Sequence, residues 1–219
     1  MFTGIIETTG AVAVIEPHSG TTRIAISAPG IAERLRLGDS FAVSGTCLTA
    51  VEIAPPLVYA DLAAETLSRT SLGQLRAGSM VNLELPTPAG APLGGHVVQG
   101  HVDGRGELVS FEPVVPEADL DDTDWWLRVR VPENTRAFMV EKGSIAIEGI
   151  SLTVAAWDGK VVGVAILPHT RKMTNLRMLQ PGDPMNIEAD VMVKLAVERG
   201  QVQAHEFDVT LEYLLTNGY

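Results

Sequence analysis

The stretch Gly94-Gly-His-Val-Val-Gln-Gly-His-Val-Asp-Gly104 lies where two halves of the chain meet. When the second half is aligned with the first, residues 98–106 fall on residues 2–10, and Gly100 falls on Gly4. The offset is 96 positions there and becomes 104 positions further along, where it continues without a gap. The identical pairs at the second offset are Ser40/Ser144, Ala42/Ala146, Gly45/Gly149, Leu48/Leu152, Thr49/Thr153, Val58/Val162, Thr66/Thr170, Thr70/Thr174, Leu72/Leu176, Leu75/Leu179, Gly78/Gly182, Asn82/Asn186 and Glu84/Glu188. A chance match would not keep one register over so many positions, so the sequence predicts a tandem duplication.

Length and composition limit the possible classes of protein. Each repeat has about 95 of the 219 residues, which is enough for a small core, so we expect domains at residues 1–95 and 96–190 and a tail at residues 191–219. No apolar run approaches the roughly 20 residues of a membrane helix, and the N-terminus lacks a signal-peptide pattern. The single cysteine, Cys47, excludes an internal disulfide and favours a reducing cytoplasm. The net charge of -11 would repel nucleic acid and anionic lipid.

The pattern of apolar residues predicts an all-β unit in each repeat. About six short strands per repeat are separated by Gly and Pro. Because such short strands would leave exposed edges in an open sheet, a small closed barrel is favoured. Short helical segments are expected at residues 31–37, 65–75 and 132–142. Residues 112–124 form an acidic insertion that we expect to be a solvated loop.

The tail after Asp190 has no counterpart in the first repeat. Its apolar residues recur with the spacing of one helix face, at Phe207, Leu211, Leu214 and Leu215. Such a helix either mediates oligomerisation or packs across the chain's own barrels.

His96 and His101 are the first candidates for chemistry. Residues five apart point to opposite faces of a strand and lie about 140° apart on a helix, which argues against a shared metal ion. We therefore expect one histidine to face a pocket and the other to support the structure. A lone histidine is more often structural, and His101 is the functional candidate of the two.

The two repeats place small nucleophile-capable residues at equivalent positions. In each, a turn leads into a strand whose alternation puts Cys47 with Thr49, and Ser151 with Thr153, on one face. Strand propensity and turn chemistry alone would explain this pattern. A functional interpretation is that small thiol and hydroxyl groups leave room for a ligand.

Thr66 and Thr170 also coincide in the alignment. They either cap short helices or form part of a rim of donors around a flat polar ligand. The sequence contains no dinucleotide, P-loop or nucleophile-elbow motif, so nucleotide binding and hydrolysis have no support. The residues alone predict two similar barrels, each with a polar pocket.

Five stretches spread over the whole chain together resemble one family. They are residues 1–7, 94–101, 142–154, 186–190 and 210–218, and they occur in the order found in riboflavin synthases of the alpha-chain type. The resemblance implies two tandem six-stranded Greek-key β-barrels followed by a C-terminal α-helix. It also implies a dismutation without metal or cofactor, in which two molecules of 6,7-dimethyl-8-ribityllumazine exchange a four-carbon unit. The products are riboflavin and 5-amino-6-(D-ribitylamino)uracil.

The resemblance gives the duplication a chemical reason. A reaction that joins two copies of one substrate needs two similar pockets facing each other. The implied assembly is a homotrimer with the C-terminal helices at its axis. Each active site then lies between the first barrel of one subunit and the second barrel of a neighbour. Lumazine synthase is a further implied partner.

The resemblance also implies which residues form the two pockets. The first-barrel pocket uses Gly4, Ile5, Ile6, Cys47, Leu48, Thr49, Asp61, Leu62, Ala63, Ala64, Glu65, Thr66, Gly100, His101 and Val102. The second-barrel pocket uses Lys142, Ser151, Leu152, Thr153, Ile166, Leu167, Pro168, His169, Thr170 and Arg171. Positions linked to activity hold Phe2, Ser40, Cys47, His101, Ser151 and Asp190. His101 is then the candidate proton carrier, and either Cys47 or a bound water supplies a transient nucleophile or a hydrogen bond.

Two departures and two alternatives accompany the resemblance. Ser44 stands where the family usually has asparagine, and Glu148 stands where it usually has aspartate; either change is expected to retune a pocket. One alternative is a non-catalytic lumazine- or flavin-binding homologue, such as a lumazine protein. The complete set of activity-linked residues favours the enzyme. The other alternative, a flavin-binding domain of an oxidoreductase, has less support because no nucleotide-binding domain accompanies the barrels.

Overall fold

The computed structural model describes residues 1–206, which form two similar β-barrels and the start of a C-terminal helix. Each barrel is a seven-stranded antiparallel sheet. The first contains β1 (Thr8–His18), β2 (Thr21–Ser27), β3 (Ser40–Val43), β4 (Thr46–Thr49), β5 (Glu52–Ala54), β6 (Leu57–Leu62), α1 (Ala64–Arg69), a 3-10 turn (Ser71–Gln74) and β7 (Met80–Glu84). Its strands are ordered β4-β3-β7-β1-β2-β6-β5.

The second barrel repeats this plan. It contains β8 (Gly104–Pro113), β9 (Trp125–Arg130), a 3-10 turn (Glu133–Phe138), β10 (Ser144–Ile147), β11 (Ile150–Thr153), β12 (Ala156–Trp157), β13 (Val161–Ile166), α2 (Pro168–Met173), a second 3-10 turn (Asn175–Met178) and β14 (Pro184–Ala189). The order β11-β10-β14-β8-β9-β13-β12 matches the first barrel strand for strand. The predicted duplicated all-β fold is confirmed.

Each barrel has seven strands rather than six because one predicted strand bends. The run at residues 47–53 divides into β4, which pairs with β3, and β5, which pairs with β6. These are the two outer strands of the sheet, and only Ala50 and Val51 separate them along the chain. The Val51 N–H donates to the carbonyl of Tyr59 at 2.9 Å, which extends the β5–β6 pairing toward β4, and β4 itself contacts β6 across the barrel opening. Closing the sheet removes the exposed edges that short strands would otherwise leave.

Each barrel encloses its own hydrophobic core. Strand alternation buries Ile24 and Ile26 in the first barrel, and Leu127 and Val129 in the second. Burying a side chain of this size contributes about 1.5–3 kcal/mol relative to exposing it. A third, small apolar cluster lies between the barrels and consists of Phe2, Ala42, Val98 and Ala146. The fold therefore has two separate cores with a small apolar cluster between them.

Two local expectations need correction. Residues 31–37 form hydrogen-bonded turns instead of a helix, whereas the equivalent part of the second barrel forms a 3-10 turn. The acidic insertion at residues 112–124 is only partly a loop, because β8 extends to Pro113 and Thr123 is buried. The Thr123 hydroxyl accepts a hydrogen bond from the Val115 N–H at 3.1 Å, which ties the insertion together.

The barrels meet along an approximate two-fold axis, at which equivalent residues face each other. Gly45 and Gly149 are in direct backbone contact there. The side-chain amide of Asn82 donates to the Glu148 carbonyl at 2.9 Å, and that of Asn186 donates to the Ser44 carbonyl at 2.8 Å. This reciprocal pattern fixes the orientation of one barrel on the other.

The C-terminal helix α3 (Val191–Glu206) begins directly after β14. Its first turn is capped by Asp190, whose carboxylate accepts from the Met192 N–H at 2.9 Å. The predicted apolar stripe from Phe207 onward lies outside the described residues. Within residues 1–206, no helix combines the length and apolar character needed to cross a membrane.

Candidate functional site

Two equivalent segments cross between the barrels, and we call them arm 1 (residues 2–6) and arm 2 (residues 98–102). They meet at Phe2 and Val98, which exchange backbone hydrogen bonds of 2.7 and 3.1 Å. Beyond this bridge the arms separate toward opposite barrels. Arm 1 reaches β11, where the Gly4 carbonyl accepts from the Ser151 N–H at 2.8 Å. Arm 2 reaches β4, where the Gly100 carbonyl accepts from the Cys47 N–H at 2.9 Å.

The crossing requires glycine in both arms. Gly4 has a φ of +73° and Gly100 a φ of +80°, in the left-handed region that disfavours other residues. A Cβ on Gly4 would lie 2.6 Å from the Ser151 nitrogen, and one on Gly100 would lie 2.6 Å from the Cys47 Cβ. Arm 1 therefore lies directly against Ser151, and arm 2 lies directly against Cys47.

Two equivalent carboxylates hold the arms. Glu84 accepts from the backbone N–H groups of Thr3 at 2.6 Å and Gly4 at 3.0 Å. Glu188 accepts from three N–H groups of arm 2, at residues 99–101, at distances of 2.7 to 3.0 Å. Burial raises the pKa of both carboxyls, that of Glu188 to about 7, although the donated hydrogen bonds act in the opposite direction.

The crossing corrects one assignment made from the sequence. Gly4, Ile5 and Ile6 were expected in the first-barrel pocket, but arm 1 places Gly4 on Ser151 of the second barrel. Ile6 packs against the core of the second barrel as well. Position in the chain suggested the first barrel, whereas the exchange of arms decides the location. Gly100 lies in arm 2 with His101 and Val102 and is bonded to Cys47, and the pocket that these residues are expected to share stays a prediction.

Strands β4 and β11 present their predicted residues as alternation requires. In β4, Leu48 points into the core, Cys47 is half-buried and Thr49 is exposed. In β11, Leu152 packs against the core while Ser151 is half-buried and Thr153 is exposed. Ser40 lies beside Thr49 in the sheet register, at the start of β3.

Further predicted residues of the first barrel lie at the end of β6 and directly after it. Leu62 is buried in the core, and Ala63, Ala64, Glu65 and Thr66 lead into and form the first turn of α1. Asp61 pairs with Arg23 at 2.8 Å, and this hydrogen bond lowers the pKa of the Asp61 carboxyl.

The equivalent residues of the second barrel lie at the end of β13 and directly after it. Ile166 is buried, whereas Leu167 is 60% exposed just before Pro168, His169 and Thr170 open α2. The guanidinium of Arg171 lies 4.1 Å from the ring centroid of Trp125, a cation–π contact that orients the side chain. Asp121 of the acidic insertion lies 3.9 Å from Arg171. Lys142 adopts a left-handed φ of 65° in the turn before β10.

The two histidines have different surroundings from those expected. The imidazole of His101 is exposed, and its backbone N–H is held by Glu188. The Nδ1 atom of His96 lies 2.7 Å from the Oγ of Ser151, a residue that the resemblance implies in activity. The opposite-face argument assumed a regular strand or helix, and residues 94–97 form neither. Burial lowers the pKa of His96, while the charge of Asp190 raises it.

Sequence reasoning missed His96, Glu84 and Glu188 as contributors to the site. The identity of Glu84 and Glu188 at equivalent positions was a usable signal for the carboxylates. No spacing rule could reveal that an irregular segment brings His96 to Ser151. That contact depends on the exchange of the arms.

A cleft of about 840 Å³ lies beside arm 1. Its walls include Ile5, Ser40 and Glu84, and its size is in the range of small-molecule sites. The residues lining this cleft do not include Cys47, His101 or Ser151.

The two departures from the family pattern lie at the barrel interface. Ser44 and Glu148 are both buried and both have left-handed φ values, of 43° and 52°. The Glu148 carboxylate accepts from the Asn186 N–H at 2.7 Å and from the Asn175 side chain at 2.8 Å. Burial raises its pKa. Both residues therefore lie in the barrel interface, where Glu148 also lines a cavity together with Ser71 and Asn175, and the retuning of a pocket stays a prediction.

Comparison with known proteins follows the same division into two units. A family model described as lumazine binding domain matches residues 3–86 and again residues 99–190. The chain belongs to this lumazine-binding family. Each lumazine-binding unit matched by the model includes one arm and the barrel that follows it. The family resemblance seen in the sequence is confirmed.

Individual relatives cover most of the lumazine-binding chain. A riboflavin synthase of Mycobacterium bovis is 42% identical over 205 residues, covering 91% of this chain and 97% of that protein. A riboflavin synthase of Actinobacillus pleuropneumoniae is 40% identical over 194 residues, covering 89% and 87% respectively. The solved structure of LumP complexed with riboflavin has a TM-score of 0.77 and 25% identity, covering 86% of this chain and 99% of that one.

Proposed function

We propose that the chain is a riboflavin synthase that converts two molecules of 6,7-dimethyl-8-ribityllumazine into riboflavin and 5-amino-6-(D-ribitylamino)uracil by transfer of a four-carbon unit. The observation that carries the proposal is the pair of related sites with different reactive residues, Cys47 beside arm 2 and Ser151 beside arm 1. Relatives named riboflavin synthase at 40–42% identity support it.

The chemistry needs two similar sites that perform different steps. One lumazine must lose a proton from its C7 methyl group, and the other must accept a nucleophile at C7. Similar barrels can recognise the same ring system, while differences between Cys47 and Ser151, and between His101 and Ile5, separate the two roles. Holding both molecules in a reactive orientation replaces a slow encounter in solution.

In this proposal the activity-linked residues act in two groups. His101 carries protons at the first site, beside Cys47 on β4. Ser151 and Asp190 belong to the second site with Lys142, where α2 supplies the surrounding wall. Phe2 is fully buried in the bridge between the arms and keeps both in place.

Each active site is proposed to form between the first barrel of one subunit and the second barrel of a neighbour in a homotrimer. Exposed apolar side chains in the proposed pockets support this, since Ile5 is 50% and Leu167 is 60% exposed. Lumazine synthase as a partner stays a prediction.

Ending the chain after Asp190 is expected to leave barrels that no longer form a trimer, which light scattering measures. A trimer formed without the tail would contradict the assigned role of the C-terminal helix.

A non-catalytic lumazine-binding protein is the second candidate, because a LumP structure shares the fold. Incubating purified protein with the lumazine and no added cofactor separates the two functions. We expect riboflavin and the pyrimidine in equal amounts, measured by absorbance and chromatography. His101→Gln is expected to lower turnover at least tenfold, since general acid–base groups contribute about 10²–10⁴-fold. Tight binding of the lumazine without turnover would establish the second candidate instead.

A further inference from the structure

We propose that His96 is a positioning residue of the second pocket. It holds the Ser151 hydroxyl so that the proton points to the imidazole and the oxygen faces the bound lumazine as a hydrogen-bond acceptor. The inference rests on the proposed function, because it takes the ligand of this pocket to be a lumazine. The donor that it recognises is then a ring N–H or a ribityl hydroxyl of that ligand.

The geometry at Ser151 leaves few choices for its proton. The Oγ atom lies 2.7 Å from the Nδ1 of His96, and it also accepts from the backbone N–H of His96 at 3.3 Å. A serine hydroxyl has one proton and two acceptor lone pairs. The N–H occupies one lone pair, and an unprotonated Nδ1 takes the proton. One lone pair of the oxygen is then free for the ligand.

The contact is fixed from several sides. A Cβ on Gly95 would lie 2.1 Å from the Thr3 carbonyl oxygen and 2.8 Å from the Ser151 Oγ, so the backbone before His96 is pressed against both arm 1 and β11. The Ser151 N–H is in turn held by the Gly4 carbonyl at 2.8 Å. Because neither partner can move easily, the hydrogen bond sets which atoms of Ser151 are available.

The first barrel has a different arrangement at the equivalent position. Cys47 packs against the apolar cluster of Phe2, Ala42, Val98 and Ala146. The serine of the second pocket is therefore polarised by an imidazole, whereas the cysteine of the first pocket lies against apolar groups. This difference would let the two related pockets treat two identical substrate molecules differently.

The charge state of His96 decides whether the Ser151 hydroxyl accepts a hydrogen bond from the ligand or donates one to it. Burial lowers the pKa of His96 below its usual value, and the only charged group in the described chain found to act against this is Asp190, at the start of α3. The other groups that arm 1 and β11 bring here, Thr3, Gly4 and Ser151, are uncharged. Protonating His96 makes Nδ1 a donor, which frees the serine proton and turns Ser151 into a donor toward the ligand.

A double-mutant cycle with pH profiles tests the proposal. His96→Phe keeps a ring but removes the acceptor, Ser151→Ala removes the hydroxyl, and His96→Asn places a non-titrating oxygen where Nδ1 was. We expect His96→Phe and Ser151→Ala each to lower kcat/KM by tenfold or more, and the double variant to be no worse than Ser151→Ala. His96→Asn should stay within about threefold of wild type and lose the acid limb of the kcat/KM profile.

Each outcome decides between this role and a purely structural one. Additive losses in the double variant, or an acid limb that persists in His96→Asn, would overturn the proposal. Thermal unfolding of every variant identifies any loss that comes from the fold. If the wild-type protein binds riboflavin but does not turn over lumazine, the proposed function fails. The same cycle measured by quenching of riboflavin fluorescence then still tests the His96–Ser151 contact, with additive losses of affinity overturning it.

Discussion

The turn before β4 in the first barrel and the turn before β11 in the second face each other across the approximate two-fold axis. Their backbones are equivalent, with Gly45 against Gly149, but Ser44 of one turn faces the much longer Glu148 of the other. The same contrast recurs at the site, where Cys47 and Ser151 occupy equivalent positions in different surroundings. Positions that set the backbone contacts have stayed equal after duplication, and the side chains around them have diverged.

Separating the two repeats should reduce turnover more than any of the single substitutions that follow. Residues 1–95 contain Cys47 and arm 1, but arm 1 serves the second barrel in the full chain. We expect the isolated repeat to bind riboflavin, as a dimer whose copies exchange arms, and to show no measurable turnover, because it lacks His101 and Ser151. Analytical ultracentrifugation, fluorescence titration and the lumazine assay measure these three properties. Turnover near the wild-type rate would mean that the two kinds of barrel are interchangeable.

The next largest effect is expected when the glycine contact between the two turns is changed. A Cβ on Gly149 would lie 2.6 Å from the Gly45 nitrogen, so Gly149→Ala must push the barrels apart. We expect a loss of about 3 kcal/mol or more in the free energy of unfolding, measured with urea. Gly159→Ala is the matched control. Gly159 has a φ of +93°, but a Cβ built on it would meet nothing within 4 Å. Equal losses in both variants would assign the effect to φ alone.

The carboxylate of arm 2 gives a pH-dependent prediction. The pKa of Glu188 is raised in the folded state to about 7, so the folded protein binds a proton more tightly than the unfolded chain. The stability of wild type should therefore fall as pH rises from about 4.5 to 7, by on the order of 2–3 kcal/mol from this group. Glu188→Gln should remove this part of the slope. Parallel stability curves for the two proteins from pH 4.5 to 8 would contradict the prediction.

Shortening Glu148 should have the smallest effect. In Glu148→Asp the carboxylate retracts from the Asn186 N–H and from the Asn175 side chain, both buried. We expect a loss of about 1–2 kcal/mol in stability, with turnover unchanged within about twofold, because these hydrogen bonds lie in the interface between the barrels. A fall in turnover with unchanged stability would indicate that Glu148 acts in a substrate pocket.

Much of the site was accessible from the sequence because strand alternation and repetition are local properties. Alternation placed Cys47 and Thr49 on the outer face of β4, with Leu48 inward, and the register between repeats gave Ser151 the same position. The prediction failed where the chain is irregular. Arm 1 and the segment around His96 have no period, so nothing in their spacing indicates which barrel they contact.

The sequence by itself determined the duplication, the all-β barrels and the family, since these follow from repeated spacing and from motifs that can be read along the chain. Only the tertiary structure decided that Gly4 serves the second barrel, that Glu148 lies at the barrel interface and that His96 contacts Ser151. Each of these depends on contacts between residues far apart in sequence. These contacts form only in the folded molecule. There the buried backbone groups and carboxylates find hydrogen-bond partners, and glycines let the two backbones approach closely.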